Sequence, residues 1–130
     1  MKQEAARLPN LEGELPVFDL AGVLERVMGD TELAWAVTEA FLMDGPSQIR
    51  ELQGFLRNGN IDGSRRQAHS IKGAAATVGG ERLRKTAFAM EQAADAGDLR
   101  SVEDAMVELQ VKFLEFAAEV KVVRAKERAE

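Results

Sequence analysis

From Leu99 onward, the apolar residues Leu99, Val102, Met106, Leu109, Phe113, Phe116, Val120 and Val123 recur at alternating steps of three and four. That spacing lines one stripe of an α-helix and no single face of a strand. It is the spacing of a heptad seam, and a seam of this length must be covered by other chain. A second copy in a coiled coil is one covering. The other is a set of amphipathic helices from the same chain, and the preceding sequence supplies them.

Residues 1–16 contain two prolines and no sustained period, and read as a tail or docking arm. Asp19 can cap a short helix with apolar positions Leu20, Val23, Leu24, Val27 and Met28, ending at Gly29. Asp30 or Thr31 caps the next, which buries Leu33, Val37, Ala40 and Phe41. The stretch "DGPS" at 44–47 is expected to break or kink it, because proline disfavours helix in the residue before it. A further helical segment carries Ile49, Leu52 and Leu56 and stops in "NGN" at 58–60. From Asp62, a plausible N-cap, a helix runs to Val78 with Ser64, Ala68, Ile71, Ala75 and Val78 on one stripe. Gly79 and Gly80 then permit a tight reversal, since glycine accepts the left-handed conformation that ends helices. Leu83, Ala87, Met90 and Ala94 form the returning stripe, closed by "AGD" at 96–98. With these helices joined by short turns, the expected fold is all-α: an antiparallel four-helix bundle over 17–123, with a short extra N-terminal helix and a fraying end or tail at 124–130.

Composition narrows the function. The 130 residues are 45% hydrophobic and 30% charged with three prolines, which suits one folded domain. No cysteine is present, so disulfides and thiolate metal sites are out, and a reducing, cytoplasmic setting is expected. The first residues lack the apolar stretch of a secretory signal, and no apolar run approaches the ~20 residues that span a bilayer. A net charge of −5 with 5% aromatics argues against a nucleic-acid surface. Locally the balance reverses: Arg65, Arg66, Lys72, Arg82, Arg84 and Lys85 face a single acid, Glu81, within 65–85. A solvated charged face accounts for such an island as well as a binding site does.

That island surrounds the only histidine, His69. It falls off the stripe through 68, 71, 75 and 78 and should face solvent. Arg65, Arg66, Lys72, Gly73 and Ala76 lie within one turn of it. Lys72 is a compact ammonium suited to a phosphate, and Gly73 leaves the ring open to a bulky group. Glycine inside a helix costs roughly 1 kcal/mol relative to alanine, so a steric benefit at Gly73 is a reasonable reading. If the helices flanking Gly79 and Gly80 are antiparallel, His69 lies opposite Met90 and Glu91. A Glu91 carboxylate accepting from one ring nitrogen would leave the other as the nucleophile. An unremarkable surface histidine fits the spacing equally. One histidine without cysteine does not supply a usual zinc ligand set, so no metal is expected. Ser70 points elsewhere on the helix and shows no sign of hydrolase chemistry.

The stretch "AHSIKGAAATVGGERL" resembles histidine phosphotransfer (HPt) domains, the helical bundles that relay phosphoryl groups between receiver domains in two-component phosphorelays. The layout from "VFD" at 17–19 to the last helix follows the family, so the resemblance covers about 17–120. It implies that His69 is phosphorylated, that Lys72 steadies the phosphoryl group, that Gly73 clears space for it and that Gly79 ends the helix. It also implies a hydrogen bond from the ring to Glu91, where members commonly have Gln or Glu. The implied partners are receivers of response regulators or hybrid kinases, with Mg²⁺ in the receiver only, no cofactor here, no enzyme activity of its own, and a monomer in the cytoplasm. Arg65, Arg66, Ala76 and Phe88 are candidates for the partner face. A histidine kinase is the rival, but Ser70 stands where its motif has an acid, and no region remains to bind ATP. Two alternatives stay open: the phosphoacceptor domain of a chemotaxis kinase, excised, and a non-catalytic bundle that binds partners.

Overall fold

The computed structural model describes residues 15–129. It contains α1 (Leu20–Arg26), α2 (Thr31–Arg57), α3 (Ile61–Thr77), α4 (Glu81–Asp95) and α5 (Leu99–Ala129), with no strand among the described residues. The tail expected over 1–16 lies outside the described residues as far as 14. Four long helices pack in a ring in which α2 meets α3 and α5, and α4 meets α3 and α5. The diagonal partners α3 and α5 therefore look outward on opposite sides.

Each turn has a local cause. Asp19 accepts from Gly22 N–H at 3.1 Å and caps α1; Asp30 accepts from Leu33 N–H at 3.1 Å and caps α2. Asn60, not Asp62, caps α3, accepting from Gly63 N–H at 2.8 Å. Asp62 lies inside the first turn and binds arginines instead. Gly79 has φ +72°, and Asp19 N–H donates to its carbonyl at 2.8 Å, fastening the start of α1 onto the α3–α4 turn.

The core forms where the seam predicts, from Val102 to Val120. Phe116 sits at its centre: its ring meets Phe18 and Phe41 edge-on, each at 5.5 Å between centroids. Trp35 is buried against Phe18. Leu99 is exposed, because α4 has ended at Asp95 and offers it no partner, and Val123 is half-buried.

Two expectations for α2 need correction. The helix does not break at 44–47 but runs through Pro46. Proline clashes with the Cβ of the residue before it, and here that residue is Gly45, which has none. Gly45 is buried, and a Cβ there would overlap the Phe113 ring, so the close approach of α5 holds the segment in place. The buried stripe is also turned by one residue: Ala34, Trp35, Thr38, Phe41, Gly45 and Leu52 are inside, Val37 is half-buried, and Leu33 and Ala40 are exposed. Thr38 is admitted because its hydroxyl donates to Ala34 C=O at 2.8 Å. In α1, Met28 is no core residue; it is exposed at φ 57° beyond the helix end at Arg26.

Candidate functional site

Ala68, Ile71 and Ala75 bury one side of α3 and turn His69 outward, leaving its side chain 63% exposed. The α3–α4 hairpin brings Glu91 alongside, anchored by the fully buried Met90 next to it. His69 Nδ1 lies 2.8 Å from Glu91 Oε2. The carboxylate is acceptor-only when ionised, so Nδ1–H donates, and in the neutral ring Nε2 then carries the lone pair. Nε2 is then the ring nitrogen open to a reactant.

Glu91 holds a second partner. Lys72 Nζ lies 2.8 Å from Oε1, off the direction of an aligned hydrogen bond, so the contact is a charge pair. Glu91 is only 19% exposed, and burial raises its pKa; the Lys72 ammonium, the largest influence, and the His69 contact outweigh this and hold the carboxyl below its ordinary value of 4.5. Lys72 Nζ also stands 5.0 Å from the centre of the Phe88 ring, which is 40% exposed. The ammonium is thus placed by a carboxylate and an aromatic face, one turn from His69.

Gly73 is exposed, and a Cβ built on it meets nothing within 4 Å. Ala76 is half-buried one turn further on. Arg65 and Arg66 are not gathered at the imidazole: Arg65 Nη2 reaches Asp62 Oδ1 at 2.9 Å, and Arg66 Nη1 bonds the other Asp62 oxygen. The hydrogen bond from Arg65, then the charges of both guanidiniums, hold the Asp62 carboxyl below its ordinary value. The basic island is therefore not one patch. Arg82 Nε donates to Leu15 C=O at 2.7 Å and Arg84 pairs with Glu81 at 2.9 Å, toward the Gly79 end of the hairpin.

The contact between Lys72 and Phe88 was readable in the sequence and was missed. The reflection about the Gly79–Gly80 turn that sets residue 69 against 91 sets 72 against 88 equally.

These features define a helical bundle that presents a single histidine on a rigid helix, its ring held by a neighbouring carboxylate. The family model for the Hpt domain matches residues 36–125, and the chain belongs to that family. No curated protein and no solved structure matches it in the same comparisons. Hpt domains are phosphocarriers rather than kinases, and act with receiver domains in two-component signalling. No described helix is long and apolar enough to cross a membrane.

Proposed function

We propose that His69 accepts a phosphoryl group from the aspartyl phosphate of one receiver and passes it to the aspartate of another. The observation that carries this reading is the 2.8 Å contact of Nδ1 with Glu91, which leaves an exposed Nε2 as the nucleophile. In the forward step the Nε2 lone pair attacks phosphorus, the bond from phosphorus to the aspartyl oxygen breaks, and the carboxylate leaves with the electron pair. The ring keeps its Nδ1 proton and becomes cationic, and Glu91 stabilises that charge. Lys72, already one turn away, neutralises the incoming phosphoryl oxygens. Gly73 admits the receiver, and Phe88 and Ala76 give it apolar contact. The Mg²⁺ of the reaction belongs to the receiver. The reaction needs no cofactor on this chain, and we place it in the cytoplasm with its receivers.

The test is transfer from a phosphorylated receiver with Mg²⁺, read by intact mass, with His69→Gln beside the native chain. Gain of one acid-labile phosphoryl group, absent in the variant, is expected. No gain from several receivers, followed by labelling with a chemotaxis-type kinase domain, would replace the relay reading with that of a kinase's phosphoacceptor domain.

A further inference from the structure

The core seam leaves a second apolar stripe on α5. Val107, Val111, Leu114 and Ala118 follow steps of four, three and four on the face turned from the core, with Leu114 67% and Val107 64% exposed. The stripe continues onto α2, where Pro46 shares a groove with Leu114, and Met43, one turn earlier, is 83% exposed. Solvent-facing apolar side chains in a heptad register are what helix pairing buries.

We propose that this face pairs with the same face of a second copy, α5 against α5 and antiparallel about a two-fold axis. Charge selects both the occupant and the direction. The same register places exposed Asp104 at one end of the stripe and exposed Lys121 at the other. Parallel pairing would set each against its own equivalent. Antiparallel pairing centred between Val111 and Leu114 sets Val111 against Leu114 of the second copy, Val107 against Ala118, and Asp104 against Lys121, twice. On the rim, Glu108 approaches Glu115 of the second copy, twice, and Lys112 lies 4.0 and 3.6 Å from Glu108 and Glu115 in its own chain, which lowers the repulsion. An isologous contact of this kind closes on itself and gives a dimer, in place of the monomer expected from the sequence. Because α3 lies diagonally across the bundle from α5, both His69 side chains stay exposed.

Sedimentation equilibrium of the whole chain over roughly 5–500 µM tests this. The mass should rise from 14.2 kDa toward twice that value. Leu114→Glu should remain at the monomer mass with unchanged helical circular dichroism and unchanged phosphoryl transfer. Asp104→Lys should raise the dimer Kd roughly tenfold, and adding Lys121→Asp should restore it. A native chain that stays monomeric throughout overturns the proposal, as does a Leu114→Glu chain that dimerises normally. A double variant no better than the single one overturns the antiparallel register. A monomeric native chain that loses receiver binding on Leu114→Glu overturns self-pairing and gives the face to the receiver.

Discussion

Replacing Gly73 with alanine separates what the fold needs from what a partner needs. Gly73 lies well inside α3, outside the left-handed region, and a Cβ there meets nothing within 4 Å. Nothing in the chain forbids a methyl group, and alanine is favoured in a helix interior by about 0.8–1.0 kcal/mol. Gly73→Ala should therefore stabilise the protein by about that amount and raise Tm by about 3–5 °C. The bond from the Thr77 hydroxyl to the Gly73 carbonyl, at 3.1 Å, should survive. Phosphoryl transfer should move the other way. The new methyl stands one turn from His69 where a receiver must approach, and a misplacement of about 1 Å can cost about 10²-fold in rate. Thermal melting and rapid-quench transfer from a phosphorylated receiver, on the same samples, read both quantities. A stabilised variant that transfers at the native rate would refute the clearance role of Gly73. A destabilised one would refute the helix reasoning.

Other perturbations have equally definite outcomes. Gly79→Ala puts a Cβ 2.6 Å from the Asp19 carbonyl oxygen at φ +72°, and should cost about 2–4 kcal/mol by urea denaturation. Phe116→Ala removes the ring that both Phe18 and Phe41 meet edge-on and should cost about 3–5 kcal/mol, measured the same way. The Glu91 carboxyl titrates below 4.5 in the folded chain, so its charge adds stability that is fully present above that pH and is lost as pH falls through the folded value. The stability advantage of the native chain over Glu91→Gln should therefore shrink between pH 7 and about pH 3, as read by urea titrations at both. A constant difference would mean that the charge of Glu91 does not contribute.

The hairpin that makes the site was legible because it depends on short-range signals. Gly79 and Gly80 fix where the chain reverses, and counting outward from them sets Glu91 against His69. The α5 seam was legible for the same reason, being one uninterrupted period. Legibility failed in α2, where two core positions are Thr38 and Gly45 and do not register as apolar. It failed again at Pro46, because the residue that makes the proline tolerable is a glycine, and glycine beside proline reads as a turn. The arginines show a third kind of loss. Residues 65 and 66 sit within a turn of His69 in sequence, yet Asp62 also lies within a turn and takes both. Composition along a helix says which charges are near one another, while the rotamers decide which of them meet.

Of all these measurements, nitrogen-15 NMR of the His69 ring before and after phosphorylation is the most direct. A proton on Nδ1 and phosphorus coupling at Nε2 are predicted, with the Nδ1 proton kept in the phosphorylated state. Phosphorus on Nδ1, or a phosphorylated chain whose His69 resonances do not move, would contradict the mechanism proposed for this site.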